Sequence, residues 1–463
     1  MKAWCSSAAC PLHRHAESVA EFRTITRHAG TVLAGQLATM AYGVTDTIVA
    51  GRYAEASLAA LSVGSALYMS VYVALMGVLQ ALLPAWSELH GARQPERLGH
   101  AFRQSLYLWA GLVTLGMAIL LNPDPLLAWA DVPEALRGEV RAYLGVLALA
   151  LPAALAFRLY STLNQSLGHP QLVTWLQLGS LALKVPLSIW FTFGGWGLPA
   201  LGAPGCAWAT LLVHLGMLML ALWLLRTRPL YTPYALWQWP GRPDGKVLGP
   251  LLRLGVPSGL SILVEVTSFT LMALFIARLG TTAAAAHQIA ANLAAVLYMV
   301  PLAIGIASSA RTSYWLGAGQ PARARHAVGV GFGLVAGSAV LLALTLVLVR
   351  APLAGVYASS AEVVAQAVPL LLWVALYHLF DGLQALGVFV LRCWRITLTP
   401  FAIYGVLLWG LGLYGGYRLA YQGLGPWPAL QTPAAFWMAG SAALALAALT
   451  FWLMVWQVLQ RDK

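Results

Sequence analysis

Twelve apolar stretches, each about 20 residues or longer, follow one another along almost the whole chain. A helix of about 20 apolar residues crosses the roughly 30 Å of hydrocarbon in a bilayer. Charged residues make up only 9% of the sequence, whereas a soluble domain carries about 25%. The sequence therefore predicts an all-α integral membrane protein. The twelve predicted spans are 28–50, 58–84, 100–121, 140–161, 171–193, 203–225, 248–275, 284–310, 325–349, 363–390, 396–421 and 434–459.

The formal net charge of +12 suggests a nucleic-acid partner, but the placement of the basic residues argues against one. With the N-terminus inside, most of the 27 Lys and Arg residues fall in loops on that same side. Such an excess marks the cytoplasmic face of a membrane protein. We therefore expect a multi-pass protein of the inner cell membrane, with both termini cytoplasmic, lipid around it and no nucleic acid bound.

The chain repeats itself. The sequence GARQP at 91–95 returns as GAGQP at 317–321, and LYM at 67–69 returns at 297–299. The repeat spans six predicted helices, an even number, so both halves enter the membrane in the same orientation, as in transporters built from parallel repeats. This predicts two pseudo-symmetric six-helix lobes. The expected order is a cytoplasmic N-terminal tail (1–27), an N-lobe (28–225), a cytoplasmic linker (226–247) and a C-lobe with a short tail (248–463).

The cysteines indicate neither a cofactor nor a metal. Cys5 and Cys10 lie near His13 and His15 in the N-terminal tail, but their spacing fits no known metal module. Cys206 and Cys393 lie in or beside predicted helices, and we expect them to be free thiols.

Three acidic residues, Asp46, Glu265 and Asp381, lie deep inside predicted spans. A carboxylate in the middle of a membrane helix costs roughly 3 kcal/mol on insertion scales, and such groups usually handle ions or charged substrates. A cavity near the midplane between the two lobes would collect all three. Around Asp46, an apolar setting disfavours the charged form and so favours proton uptake. Tyr377 lies four residues before Asp381, which places the phenol and the carboxylate on one side of a helix.

Lys184 lies in the middle of the fifth span, where a lysine needs a partner. Asp46 is the deep acid of the same lobe, so one interpretation is an ion pair that tethers the carboxylate and competes with any cation. The other is a lysine that extends outward to the lipid headgroups. His287 and Gln288 begin the eighth span; the histidine either titrates near neutral pH or packs as a structural residue.

At these residues the chain resembles the multidrug and toxic compound extrusion (MATE) family, in its NorM-like branch. The resemblance covers nearly the whole chain. It is carried by VTDTIVAG at 44–51, VEVT at 264–267, AHQIA at 286–290, Tyr377 with DGLQ at 381–384, and LR at 391–392.

The resemblance implies a twelve-helix exporter in which a transmembrane cation gradient drives efflux of cationic drugs and dyes. Glu265, Asp381 and Tyr377 resemble the cation site of that branch, including a Na⁺ site, and Asp46 matches an aspartate implicated in proton or substrate binding. With Gln288, the same carboxylates are the expected substrate contacts, and Lys184 and His287 are expected to modulate them. No cofactor is implied beyond the coupling ion, H⁺ or Na⁺.

The chain departs from the branch at three positions. Thr31 stands where relatives usually have proline, so the resemblance does not extend to a proline kink in the first helix. Relatives tend to have asparagine where this chain has Lys184, and Ser188 replaces a second asparagine. A fixed positive charge and fewer neutral oxygen ligands should weaken any Na⁺ site in the first lobe, whereas the second-lobe residues are all present.

These features predict an antiporter in which drug and cation compete for shared carboxylates. The two coupling ions remain open alternatives, because the second-lobe oxygens favour Na⁺ and Lys184 favours H⁺. One alternative function is a lipid-linked oligosaccharide flippase of the wider superfamily, but that protein should have a strongly cationic cavity. A membrane-embedded enzyme would need a clustered catalytic set, which the spacing of the three acids does not provide.

Overall fold

The computed structural model describes residues 11–129, 132–195, 197–358, 360–423, 425 and 428–461, and side chains from Ser18 onward except that of Trp129. Cys5, Cys10, His13 and His15, which were not expected to form a metal site, therefore lie outside the described side chains. Among the described residues the secondary structure is helical, with a single β-bridge between Gly195 and Leu198. The principal helices are α1 (Pro11–Tyr53), α2 (Glu55–Gly91), α3 (Pro95–Leu121), α4 (Glu134–Ser166), α5 (Pro170–Phe193), α6 (Ala203–Thr227), α7 (Gly245–Ala277), α8 (Thr281–Gly317), α9 (Pro321–Tyr357), α10 (Ala361–Cys393), α11 (Leu398–Gln422) and α12 (Ala434–Arg461).

These helices coincide with the twelve predicted spans. Eleven of the described helices, α2 to α12, are long and apolar enough to cross a membrane. The first helix is 43 residues long and contains the predicted span 28–50, but Gln36, Asp46 and several threonines lower its hydropathy. The protein is therefore a multi-pass, all-α membrane protein.

The first helix is continuous through Thr31, the position where relatives usually have proline. Thr31 donates its hydroxyl to the carbonyl oxygen of Arg27 at 2.8 Å, within the regular helix. The described part of this helix starts at Pro11, so residues 11–27 of the segment interpreted as a tail are helical. Proline frees a carbonyl and permits a kink; threonine leaves the backbone hydrogen bonds in place.

Cα distances divide the chain into two compact units. The N-unit comprises Ala34–Gly259, and the C-unit comprises Met1–Leu33 with Leu260–Lys463. The division differs from the predicted lobe boundaries at 225 and 248, because α1 and α7 each contribute one part to each unit. The segment expected to be a linker, 226–247, lies wholly in the N-unit and contains a 3₁₀ helix, Pro229–Tyr234.

Specific contacts explain where α1 and α7 divide. In the C-unit, the buried carboxylate of Glu21 on α1 accepts hydrogen bonds from Arg311 at 2.5 and 2.9 Å and from the Trp315 indole at 2.8 Å. In the N-unit, Gly255 and Gly259 bring the start of α7 against α2, so close that a Cβ at Gly259 would lie 2.7 Å from the carbonyl oxygen of Ala74.

Each unit is organised around one central helix. In the N-unit, α4 packs against α2, α3 and α6; in the C-unit, α10 packs against α8, α9 and α12. These two helices occupy equivalent places in the sequence repeat. Both expose small residues to their neighbours, including Ala150 and Ala154 on α4 and Gly382 and Gly387 on α10. Small residues allow close backbone approach, which drives helix association in lipid.

Gly205 provides a test of this close packing. A Cβ at Gly205 on α6 would lie 2.6 Å from the backbone carbonyl of Phe191 on α5, whereas one at Gly216 on the same helix would meet no atom within 4 Å. We expect Gly205→Ala to destabilise the protein by about 1–3 kcal/mol through overpacking. Gly216→Ala, the matched control, should be neutral or stabilise by up to about 1 kcal/mol. Thermal unfolding in detergent measures both, and equal melting temperatures would contradict the packing argument.

Candidate functional site

In the N-unit, Asp46 of α1 forms an ion pair with Lys184 of α5. The Lys184 Nζ lies 2.6 Å from the Asp46 Oδ1, and the lysine side chain is 0% exposed. Ser188, one turn after Lys184 on α5, donates its hydroxyl to the same carboxylate oxygen at 3.0 Å. The sequence-based ion-pair interpretation is confirmed, and the alternative of a lysine reaching outward is wrong.

The ammonium group of Lys184 is fully satisfied by α1 and α6. Besides Asp46, it donates to the carbonyl oxygen of Cys206 at 2.9 Å and to the Thr210 hydroxyl at 2.8 Å. An ammonium has three N–H donors, so these three acceptors use all of them. Lipid headgroups cannot compete, because leaving this pocket would strand the Asp46 carboxylate without its charge partner.

The ion pair belongs to a longer row of polar contacts between α1 and α5, here called the polar seam, which on α5 comprises Gln177, Ser180, Lys184 and Ser188. Gln177 donates to the Thr39 hydroxyl at 3.1 Å, and the Tyr42 and Ser180 hydroxyls share a hydrogen bond. The α5 residues of this seam recur every three to four positions and are buried, while Trp175 and Leu183 on the opposite side of the helix are exposed. The helical period therefore separates a polar interior face from an apolar exterior face.

In the C-unit, Asp381 of α10 lies at the start of a hydrogen-bond chain. The amide of Gln384, one turn later on α10, donates to the Asp381 Oδ1 at 2.9 Å. The Gln384 carbonyl oxygen in turn accepts a hydrogen bond from the Tyr404 hydroxyl of α11. Asp381, Gln384 and Tyr404 are all buried. Gln384, rather than Tyr377, therefore orients the carboxylate.

Glu265 of α7 lies close enough to Asp381 for their charges to interact, and the Arg392 guanidinium is close enough to act on Glu265. Arg392 is only 4% exposed and lies in the last turn of α10, over the ring of Phe389. Arg392 lies just past the predicted span 363–390, among the basic residues expected on the cytoplasmic side, so the sequence analysis missed its place in this cluster. When both carboxylates are ionised, the one guanidinium leaves a single negative charge that a monovalent cation or a proton can balance.

A small cavity lies beside Glu265. It is bordered by Glu265, Phe269, Met272, Tyr377, Phe436 and Gly440, among others, and has about 20 Å³ of space open to the centre of a water molecule. About 10–15 Å³ measured in this way holds one water, so this cavity fits one ion or one to two waters. Ligand pockets for drug-sized molecules are roughly 300–1,000 Å³. The cavity is therefore ion-sized and has aromatic walls.

The aromatic wall is held in place from behind. The Tyr377 ring meets Phe269 and Trp437 edge-on, with ring centres 5.9 and 5.2 Å apart. The Trp437 indole donates to the Nδ1 of buried His287 at 3.3 Å. His287 is thus a packed residue that orients Trp437, the structural alternative considered for it. Gln288 is exposed, donates to Asn292 at 3.2 Å and does not border the cavity.

The eleventh helix completes the site with irregular backbone. Its segments Gly405–Tyr414 and Arg418–Gln422 are π-helical, a rare geometry that often occurs at functional sites. Leu408 and Gly412 of this segment border the cavity. The Trp409 indole donates to the carbonyl oxygen of Val264, the residue before Glu265, at 3.2 Å.

The structure thus brings together Glu265, Asp381 and Tyr377 in the C-unit, and Asp46 with Lys184 in the N-unit. It adds Gln384, Tyr404 and Arg392. Gln384 and Arg392 belong to the DGLQ and LR motifs, and Gln384 lies one helical turn after Asp381, but the sequence analysis gave neither residue a role at the site. Cys206 and Cys393 are buried and form no disulfide with a described residue, which confirms that they are thiols. Among the described residues, no group of three or more His, Cys, Asp or Glu side chains is arranged to hold a metal ion.

Comparison with known proteins agrees with this architecture. The MatE family model matches residues 32–190 and 257–417. The chain is 39% identical over 432 residues to a probable multidrug resistance protein NorM of Aromatoleum aromaticum, covering 92% of each chain. It is also 32% identical to the multidrug resistance protein PmpM of Pseudomonas aeruginosa, covering 91% of this chain and 88% of that protein.

Solved structures share the fold. The Vibrio cholerae MATE transporter VcmN in its bent form superposes with a TM-score of 0.82 at 20% identity, covering 96% of this chain and 99% of that one. The eukaryotic MATE transporter AtDTX14 superposes with a TM-score of 0.83 at 18% identity, covering 96% and 98%. From the family model and the identity to its relatives, the chain belongs to the MatE family of multidrug and toxic compound extrusion transporters.

Proposed function

We propose that this protein is a multidrug efflux antiporter that exports cationic and amphiphilic organic compounds in exchange for H⁺ or Na⁺. The observation that carries the proposal is a pair of interacting carboxylates, Glu265 and Asp381, of which Glu265 borders an ion-sized cavity. The relatives are named as multidrug resistance proteins, which supports a drug as the exported substrate.

The coupling cation is proposed to bind in the C-unit cavity. The Glu265 carboxylate and the Tyr377 phenol border it and supply oxygen atoms, and the Phe269 and Phe436 rings supply faces that attract cations. Asp381 does not border the cavity; its charge acts on both Glu265 and Tyr377, and its carboxylate is oriented by Gln384. Because Arg392 neutralises part of the negative charge, one monovalent cation or proton is enough to balance the remainder.

Exchange follows from competition between two cations for the same negative charges. H⁺ or Na⁺ from the outside binds Glu265 and Asp381 and causes release of the drug to the outside. The protein then changes to an inward-open state, releases the ion into the cytoplasm and binds a new drug molecule. Each ligand should weaken the binding of the other by the same factor, since linkage is reciprocal. Each positive charge that moves inward gains about 2.3 kcal/mol per 100 mV of membrane potential.

The N-unit carboxylate has a different proposed part. Asp46 is already balanced by Lys184 at 2.6 Å, so a Na⁺ would have to displace an ammonium held by three acceptors. A proton or a cationic substrate can still act on Asp46 when the ion pair opens. We therefore assign ion coupling first to the C-unit and a modulating role to Lys184.

The excess of basic residues in the loops on one side supports the proposal that this is a protein of the inner membrane with both termini cytoplasmic.

Efflux from cells tests this function and identifies the ion. Cells that express the protein should retain less of several unrelated cationic dyes and show higher resistance to them than cells with an empty vector. The same efflux is measured after sodium is replaced by potassium at constant pH. Loss of efflux assigns coupling to Na⁺, and unchanged efflux that a protonophore abolishes assigns it to H⁺. Dye retention equal to that of the empty-vector cells in every condition would contradict the proposal.

A further inference from the structure

An open pocket lies at the end of α6 and is lined by none of the acidic residues of the proposed transport site. It has about 340 Å³ of space open to the centre of a water molecule and is bordered by Arg226, Arg228, Tyr231, Leu236 and Trp237, among others. The Arg226 guanidinium lies over the Trp237 ring, 5.7 Å from its centre. The pocket therefore combines two cationic side chains with an indole face, and its size suits a small organic headgroup.

The segment that forms this pocket is held in place by polar contacts with the membrane helices. The Tyr231 hydroxyl donates to Asn164 of α4 at 2.7 Å, and Tyr234 shares a hydrogen bond with His90 of α2 at 3.2 Å. Burial raises the pKa of Tyr231 and of Tyr234, so both phenols stay protonated. On α3, Arg103 donates to the Ala235 carbonyl at 2.6 Å. The segment after α6 is thus a folded part of the N-unit.

The charge of the pocket has one sign. Residues 221–243 contain no Asp or Glu, and the guanidinium groups of Arg226 and Arg228 form no ion pair with a described residue. Both arginine side chains are exposed. Because no described carboxylate pairs with them, these two arginines attract anions. The planar guanidinium group matches the geometry of a phosphate especially well.

The surroundings of the pocket favour a lipid as the source of that anion. Arg226 lies in the last turn of the membrane helix α6. Trp237 borders the pocket, and Trp223 and Trp239 lie within two residues of its lining along the chain; all three side chains are exposed, Trp239 to 85%. Tryptophan side chains concentrate at the level of lipid headgroups, and basic pockets on the cytoplasmic side bind acidic lipid headgroups. A soluble phosphate would not need this row of exposed indoles.

We propose that the pocket bordered by Arg226, Arg228 and Trp237 is a binding site for the phosphate headgroup of an acidic phospholipid. The two guanidinium groups bind the phosphate, and the indole of Trp237 covers the glycerol part of the headgroup. The acyl chains lie along the exposed apolar side chains of α6, such as Met219 and Trp223. The site is separate from the carboxylates proposed for ion coupling, so its occupation does not depend on transport.

Native mass spectrometry of the full chain in detergent tests this site. Phosphatidylglycerol and phosphatidylcholine with identical acyl chains are titrated separately, and inorganic phosphate is titrated in a third arm. Phosphatidylglycerol should bind the native protein preferentially. The double variant Arg226→Gln, Arg228→Gln should bind it roughly thirtyfold more weakly, the effect of losing two basic groups near an acidic headgroup. Phosphatidylcholine binding should not change.

The matched control removes two exposed arginines elsewhere, Arg27→Gln with Arg461→Gln, and should leave phosphatidylglycerol binding unchanged. Equal loss in the control, or no loss in the pocket variant, would overturn the proposal. Micromolar binding of inorganic phosphate without preference for phosphatidylglycerol would overturn the lipid as its source. If the double variant is not recovered as folded protein, Arg226→Gln alone should weaken binding about fivefold, and unchanged binding would again overturn the site.

Discussion

Replacing Glu265 with glutamine or Asp381 with asparagine is expected to reduce the drug concentration gradient that the protein can maintain. At a membrane potential of about 100 mV, the reduction should be about fiftyfold for each coupling charge that is lost. Both substitutions keep the size of the side chain and remove its negative charge. In Asp381→Asn, the amide of Gln384, which now donates to the Asp381 Oδ1 at 2.9 Å, can still find a carbonyl oxygen. The loss should therefore come from charge rather than from packing.

Dye export by purified protein in liposomes, driven by an imposed ion gradient and membrane potential, measures this effect. Glu362→Gln is the matched control, because Glu362 lies in the exposed first turn of α10 and belongs to no part of the site. Drug binding at equilibrium is the second readout. In the native protein, added Na⁺ or acid should weaken drug binding, and in either site variant this antagonism should shrink. Undiminished gradient-driven export by both site variants would refute the assignment.

Replacing Lys184 with methionine should destabilise the protein by about 3–5 kcal/mol, because it leaves the buried Asp46 carboxylate without a counter-charge. The double variant Asp46→Asn, Lys184→Met removes both charges and should recover most of that loss. Buried ion pairs contribute little net stability compared with neutral residues that pack well, since the desolvation of both charges offsets their attraction. The single and double variants should therefore differ strongly.

Thermal unfolding of the purified variants in detergent gives this comparison. Lys246→Met is the control for the loss of one lysine charge, because the Lys246 side chain is exposed; its melting temperature should match that of the native protein. A double variant as unstable as Lys184→Met would show that the lysine stabilises the N-unit through its contacts with Cys206 and Thr210 instead of through Asp46.

The fold could be predicted from the sequence with few errors. Long apolar stretches have one stable form in lipid, because every backbone polar group must be satisfied within the segment. The repeated GARQP and GAGQP segments indicated the two halves, and the central helices α4 and α10 follow that repeat. The boundaries of the units were not predictable in the same way. They depend on contacts such as Glu21 with Arg311, whose partners lie 290 residues apart.

The candidate site shows the same division. Asp46, Glu265 and Asp381 stand out in a sequence because a carboxylate is costly in an apolar helix, and the need of Lys184 for a partner pointed to Asp46. The sequence had no means to show that Gln384 orients Asp381, that Arg392 is buried beside Glu265, or that His287 supports Trp437. Those relations depend on the rotation and separation of helices that are distant in the chain.

Hydropathy, repeat period and the cost of buried charge act locally along the chain, so the amino-acid sequence by itself determined that this is a membrane protein of two six-helix halves with ionisable groups in its interior. Side-chain partners, the ion-sized cavity and the basic pocket at the end of α6 arise where separate helices meet. Only the tertiary structure decided them, because distances of a few ångströms set which charges are balanced and which remain able to bind.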